Sequence, residues 1–475
     1  MQRNARHSFG AITLTEDAAL QIHGLTIRAA GHALRAGQIS SSTLTEAVLA
    51  RIEATEPALN AYITVTAELA RRQAVVADAE LAAGRDRGPL HGIPFALKDL
   101  FDTAGIATTA GSDFLRDRVP DEDAFVVRRL YEAGAVLVGK LGLHEFAFGA
   151  TSINPHFGPV HNPWDLERVP GGSSGGSGAA VAAGSAIVAL GTDTGGSIRI
   201  PASLCGVAGF KPSTGRVSRS GVFPLSPTLD HAGPLAKTVE DCALVMNAIA
   251  GHDPADHMSL DGPVPDYTAD FGRGIRGLRI GVPRAALWDG AQPEVAAACE
   301  AALDVLRGLG ASVADVELPL LAKGTRLCIS QAEGATFHRA WLERHPERYG
   351  DDTRRRFLEG LALPATAYIH DLERRRALTE EMKALLERVD VLVSPTTPMT
   401  APTIEEGDPD RALSVLTRGY NYTGVPVLSV PCGFDSRGLP VGLQIAGRHF
   451  EDATVLRAGH AYEQATDWHV RRPAI

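Results

Sequence analysis

Residues 171–199, GGSSGGSGAAVAAGSAIVALGTDTGGSIR, set two glycine clusters around an apolar Ala/Val/Ile/Leu run, and a lone acidic residue, Asp193, interrupts the second cluster. Glycine loses more backbone freedom on folding than any other residue. Clusters of it beside a buried run mark places where the backbone approaches something closely or takes angles closed to other residues. Serines inside such turns are candidate nucleophiles, and the turn N–H groups are candidate oxyanion donors. Between the clusters, Ser177–Ala183 reads as a helix opened by the preceding glycines and Ala186–Leu190 as a short buried strand.

Upstream, the apolar run Ile93–Leu97 ends in Lys98-Asp99 and reads as a strand delivering two charges to its C-terminal end, where open α/β sheets place ligands. Leu25–Ala83 has a helical pattern. Thr43-x-x-Glu46 has capping-box spacing, and Leu44, Val48, Leu49 and Ile52 then share one face. Asp121–Ala133 reads as a helix and Ala135–Val138 as a strand. The run Gly134-x4-Gly139-Lys140 has phosphate-loop spacing, but its interior is Ala-Val-Leu-Val and Leu141 stands where a magnesium-binding hydroxyl belongs, so the strand reading stands. Phe146–Pro163 is loop-like. Downstream, Val207–Phe210 and Val222 read as further sheet and Thr238–Ala250 as an amphipathic helix. Leu278–Val282, Glu294–Leu309 and Val313–Leu318 form a β-α-β pattern. Arg326–Arg388 is helical, and strands at Val391–Ser394, Val427–Val430 and Val441–Ile445 precede a closing helix, Asp452–Thr466. The alternation predicts one α/β domain over 1–475, a mixed central sheet covered by helices on both faces. Within it, an N-terminal helical layer spans about 20–85 and a catalytic core about 86–250. A variable helical region at about 320–415 rejoins the sheet by 475.

The composition, 44% hydrophobic and 21% charged over 475 residues, suits a globular protein with a sizeable core. A net charge of −10 without a concentrated basic face argues against nucleic acid as a partner. The cysteines at 205, 242, 299, 328 and 432 lack C-x-x-C spacing and read as reduced, buried residues. The N-terminal MQRNARHSFGAITL carries no sustained apolar run of a secretory signal, and no segment has the length of a membrane span. The expected setting is the cytoplasm. The expected partner is a small-molecule amide or carbamate, with no nucleic acid, no membrane, and self-association left open.

Four readings of the serines compete. Ser173 and Ser174 each fit G-x-S-x-G, but overlapping matches arise by chance in a Gly/Ser tract, and the downstream His231 and His449 have no distinctive context. A phosphate cradle lacks a Lys-Thr pair, and a flexible linker would not bracket an apolar strand. The fourth reading joins the serines to Lys98: a lysine desolvated at a strand end loses enough basicity to act as a base near neutrality, directly or through a second hydroxyl.

The 29 residues from Gly171 to Arg199 resemble the defining motif of the amidase signature family of serine hydrolases, with both glycine clusters, their serines, Asp193 and the Ile198-Arg199 tail in place. The resemblance extends to HGIPFALKDLF at 91–101, TTAGS at 108–112, GAVLVGKLGLHEFAFG at 134–149 and HNPWD at 161–165. It continues through PASLCGVAGFKPSTGRVS at 201–218, LDHAGPLAKTVEDCALV at 229–245 and GVPVLSVPCGF at 424–434, and is thinnest at 1–20 and 250–415.

The resemblance implies a Ser-Ser-Lys triad: Lys98 as base, Ser173 as a bridging serine on a cis peptide, and Ser197 as nucleophile, with Ser174 a neighbour only. It implies an oxyanion hole of backbone N–H groups from Thr194, Gly195, Gly196 and Ser197, and no metal or cofactor. Asp99, Asp193 and Arg199 are expected as structural support. The resemblance suggests Phe146, Ala147, Phe148 and Gly149 as pocket wall, with plain packing the alternative; Arg326, His338 and Trp341 are expected at the surface, with a cap over the pocket the alternative. The expected activity is hydrolysis of a linear C–N bond, in an amide, anilide or carbamate, or of an ester, through an acyl-serine. The alternative within the family is the glutamine-using amide-donor component of a tRNA-dependent amidotransferase. That component's Phe-Gly-x-Glu-Val-Lys-Arg-Arg-like run finds no counterpart around 351–376, where RRRFLEGLALPATAYIHDLERRR stands. A noncatalytic scaffold would need a broken triad, and all three positions are intact.

Overall fold

Short apolar runs bounded by Gly, Pro and Asp become the strands of one eleven-stranded sheet in the computed structural model, which describes residues 24–475 apart from Arg326. The strands are β1 (Tyr62–Val65), β2 (Pro94–Lys98), β3 (Val136–Leu141), β4 (Val188–Asp193), β5 (Ala208–Lys211), β6 (His231–Ala236), β7 (Arg279–Val282), β8 (Ser312–Asp315), β9 (Val391–Pro395), β10 (Val427–Phe434) and β11 (Pro440–Gly447). Their order is β1-β3-β2-β4-β6-β5-β10-β11-β9-β7-β8. Two parallel groups, β3-β2-β4 and β9-β7-β8, are joined through antiparallel pairs, so the sheet is mixed, as expected. Every residue of β2, β3 and β4 is buried, which is why these strands read as continuous apolar runs rather than alternating ones. No described helix is long and apolar enough to cross a membrane.

The parallel register of β2 with β4, pairing Leu97 with Leu190, carries the C-terminal ends of both strands to the same edge. That edge collects Lys98 from one strand and Thr192 and Asp193 from the other. The helix Gly175–Ala183 lies under it, fully buried. Gly176 is fixed there by contact, because a Cβ would stand 2.6 Å from the carbonyl oxygens of both Ala61 and Gly142.

Several expectations need correction. β1 interrupts the predicted helical layer because Tyr62–Val65 pairs with β3, and β6 escapes the sequence pattern because HAGPLA has weak strand propensity, overridden by ladders to β4 and β5. Val222 makes only an isolated bridge with Phe101. The helix Ser41–Leu59 starts earlier than the Thr43–Glu46 spacing suggests. Ser40 is its cap, accepting from the Thr43 N–H, while Asp78 accepts from the N–H groups of Ser41 and Ser42. The 320–415 region is built on three long α-helices, Cys328–Arg344, Asp351–Leu361 and Ala365–Arg388, with a second apolar core around Ile329, Leu378, Met382 and Tyr420. The readings of the N-terminal 23 residues and of Arg326 lie outside the described residues.

Candidate active site

Lys98, on the last residue of β2, is fully buried. Its Nζ lies 2.7 Å from Ser173 Oγ and 2.8 Å from Thr192 Oγ1. Burial pushes its pKa from 10.5 down to about 7, against the opposing charges of Asp230 and Asp193. At neutral pH much of this amine is therefore uncharged and able to accept a proton from the Ser173 hydroxyl.

The Gly172–Ser173 peptide is cis. The Ser173 carbonyl accepts from the His144 N–H at 3.1 Å and from the Ser152 hydroxyl at 3.2 Å. A Cβ on Gly172 would stand 2.7 Å from the Thr151 nitrogen, so only glycine fits before Ser173. Ser174 braces the two glycine clusters: its hydroxyl donates to the Thr192 carbonyl at 3.1 Å and its N–H donates to the Ser197 carbonyl at 3.3 Å. Ser197 is 8% exposed and lines the pocket, and no hydrogen bond joins its hydroxyl to that of Ser173 in this structure.

Asp193 and Arg199 form a buried pair with contacts of 3.0 Å to each carboxylate oxygen. Arg199 also reaches Asn421, Gln444 and the Thr417 carbonyl. Burial pushes the Asp193 carboxyl up, but Arg199, Lys211 and Asn421 outweigh it and hold it well below the usual carboxylate range. The same carboxylate accepts the N–H groups of Gly196 at 2.8 Å and Ile198 at 3.2 Å. This corrects the expected oxyanion set: the Gly196 N–H is committed to Asp193. Thr194, Gly195 and Ser197 keep N–H groups with no protein acceptor among the described residues. Replacing Arg199 with Met would strip the buried Asp193 carboxylate of its ion-pair partner. Urea denaturation is expected to show a loss of about 3–5 kcal/mol, and a loss below about 1 kcal/mol would mean that the pair does not pin the loop.

Asp99, next to Lys98, accepts from the N–H and hydroxyl of Thr109 and pairs with buried Lys140 at 3.0 Å. Lys140 thus anchors the loop after β2. Of the expected wall, Ala147, Phe148 and Gly149 line the pocket. Phe146 does not: it is buried against His338, Trp341, Tyr349 and Phe223. The left-handed backbone at both Phe146 (φ 50°) and Ala147 (φ 60°) makes a sharp turn that sends adjacent side chains different ways. His338, expected at the surface, is fully buried in the same aromatic cluster.

The pocket has a free volume of about 60 Å³, with Leu225 and Leu229 on one wall and Arg356, Asp408, Arg411 and Arg418 around it. A neighbouring cavity of about 540 Å³ shares Arg356, Asp408 and Arg411. Asp352 holds Arg356 at 2.7 Å, and Arg418 is held by the backbone carbonyls of Arg411 and Ser414. Burial lowers the pKa of both arginines and raises that of Asp408. The sequence pattern carries one signal of these rim charges. Tyr349-Gly350-Asp351-Asp352-Thr353-Arg354-Arg355-Arg356 repeats the aromatic-Gly-x-acid-x-basic-basic-Arg pattern that 351–376 lacks, because it begins two residues ahead of that stretch. Its last residue is the pocket arginine. Among the described residues, no group of three His, Cys, Asp or Glu side chains is placed to hold a metal ion.

A family model described as Amidase matches residues 43–456. A curated relative from Roseiflexus sp. (strain RS-1), named as a subunit of glutamyl-tRNA(Gln) amidotransferase, is 46% identical over 96% of this chain and 99% of its own. A solved structure from a vestigial protein complex that bears on the origins of an s-triazine catabolic enzyme superposes with a TM-score of 0.89 at 36% identity, covering 95% of this chain and all of its own. Native peptide amidase from Stenotrophomonas maltophilia gives a TM-score of 0.82 at 36% identity, covering 95% and 98%. The curated relative corrects the expected partner set. Its name makes it one subunit among others and ties it to glutamyl-tRNA(Gln), which removes the ground for expecting a small-molecule substrate alone and no nucleic acid.

Proposed function

This chain belongs to the amidase signature family, and from that membership we propose that it hydrolyses a primary amide through an acyl-Ser197 intermediate, as the ammonia-releasing component of a tRNA-dependent amidotransferase. The observation that carries the chemistry is the buried Lys98–Ser173 contact. Neutral Lys98 takes the Ser173 proton as Ser173 takes that of Ser197, after rotation of the Ser197 hydroxyl toward it. Ser197 then attacks the amide carbon. The oxyanion is met by the N–H groups of Thr194, Gly195 and Ser197, fixed before reaction so that no dipole has to reorient. The departing nitrogen takes the proton back along the same relay and leaves as ammonia. Water attacks the acyl-Ser197 carbonyl and gives one proton to the Ser173–Lys98 relay; the bond from the carbonyl carbon to Ser197 Oγ then breaks, Ser197 takes that proton back, and the carboxylic acid is released.

The rim charges support the choice of substrate. Arg356, Arg411 and Arg418 suit a carboxylate and Asp408 an ammonium group, and glutamine carries both beside a primary amide. The name and full-length match of the curated relatives support the same reading.

Ammonia release from L-glutamine tests it, measured for the chain alone and with the other amidotransferase subunits and glutamyl-tRNA. Glutamine is expected to exceed an uncharged amide of equal length by about tenfold or more in kcat/KM, one charged hydrogen bond's worth. Faster turnover of uncharged anilides or carbamates than of glutamine, with all subunits present, overturns the amide-donor reading.

A further inference from the structure

Thr194 stands in the loop between β4 and Ser197, lines the pocket beside Ser197 and Gly195, and is 7% exposed. Its hydroxyl is hydrogen-bonded to Asp230 Oδ1. The other oxygen of Asp230 accepts from the N–H groups of Leu225 and Ser226, both at 2.9 Å. Burial raises the Asp230 pKa, while these three donors and the charge of Arg219 favour its ionised form. An ionised carboxylate only accepts hydrogen bonds. In the ionised form that these three converging donors favour, Thr194 spends its single hydroxyl hydrogen on Asp230 and presents a lone pair to the pocket.

We propose that Thr194 is a specificity-determining residue, its hydroxyl fixed by Asp230 as an obligate acceptor that favours substrates with an N–H beside the scissile carbonyl over esters of the same acid. An amide nitrogen supplies the hydrogen that this lone pair takes up, whereas an ester oxygen sets a second lone pair against it. Asp230 acts as a positioning residue: it touches no substrate, but it sets the polarity of the group that does. The same carboxylate ties the Leu225–Ser226 turn to the oxyanion loop, so the apolar wall at Leu225 and the acceptor at Thr194 are placed by one side chain. The inference rests on the acyl-Ser197 reading and deepens it.

The test is the ratio of kcat/KM for an amide to that for the methyl ester of the same acid, with L-glutamine and its γ-methyl ester as the first pair. Thr194→Val, nearly isosteric, is expected to lower the amide-to-ester ratio about tenfold, the worth of one hydrogen bond. Thr194→Ser keeps the hydroxyl and is expected to hold the ratio within about twofold of the parent. Asp230→Asn can donate to Thr194 and release its hydrogen toward the pocket. It is expected to lower the ratio as Thr194→Val does, and it supplies the read-out should the valine variant not fold. An unchanged ratio in Thr194→Val or Asp230→Asn, or an equal fall of both rates, overturns the proposal by showing a structural role only. Residual turnover in Ser197→Ala would instead fault the nucleophile assignment, so the two failures are distinguishable.

Discussion

Ser197→Ala is expected to lower kcat for amide hydrolysis by about 10⁴-fold or more while leaving the fold unchanged. Deleting a nucleophile removes the covalent route outright, and what survives comes from oxyanion donors and substrate binding alone. The substitution is gentle on structure. Ser197 sits at the pocket surface, its carbonyl rather than its hydroxyl makes the bond to Ser174, and no buried donor or acceptor loses a partner. The measurement is steady-state ammonia release alongside a thermal melt. A melt unchanged within a few degrees with activity lost is the expected pair. Substantial turnover in a folded variant would place the nucleophile elsewhere.

Lys98 carries the second large effect. For the parent enzyme kcat/KM is expected to fall tenfold per pH unit below about 7 and to level off above it. The sign follows from the direction of the shift: burial lowers the lysine from 10.5 to about 7, the neutral form is the base, and acid returns it to the inactive ammonium. Lys98→Met removes the base without leaving a charge behind. It is expected to cost about 10²–10⁴-fold and to abolish the acid limb for whatever activity remains. A flat parent profile between about pH 5 and 9 would contradict a neutral-lysine base. The neighbouring charges sharpen the test. Asp230 and Asp193 both favour the protonated lysine, so Asp230→Asn should move the acid limb to lower pH even as it alters Thr194.

Much of the site was legible because its parts are local. Lys98 ends an apolar strand, and the glycines around Ser173 and Ser197 sit where backbone approaches backbone, features that residue type and spacing carry unaided. For Phe146 the structure decides for packing over pocket wall: a run reading FAFG gives no sign of two consecutive left-handed residues, and that turn sends Phe146 into the His338–Tyr349 cluster while Phe148 reaches the pocket. The Gly196 N–H is hidden from the sequence for a similar reason: a glycine in an oxyanion-type loop reads as a donor, and only the position of the Asp193 carboxylate shows that the hydrogen is already taken.

Residue order was enough for the α/β class and the family, and enough to propose the lysine and serines of the site, because each depends on periodicity or on residues a few positions apart. What surrounds them came from folding. The apolar run before Lys98 announces a desolvated lysine, but its complete burial, which makes it a weak base, comes from the elements folded around the strand end. Arg356, Asp408 and Arg418 converge on a serine far from them in sequence because the helices before β9 and the segment before β10 fold back over the end of β4. The charge of a pocket rim is the sum of such long-range placements, and no single stretch of the chain states it.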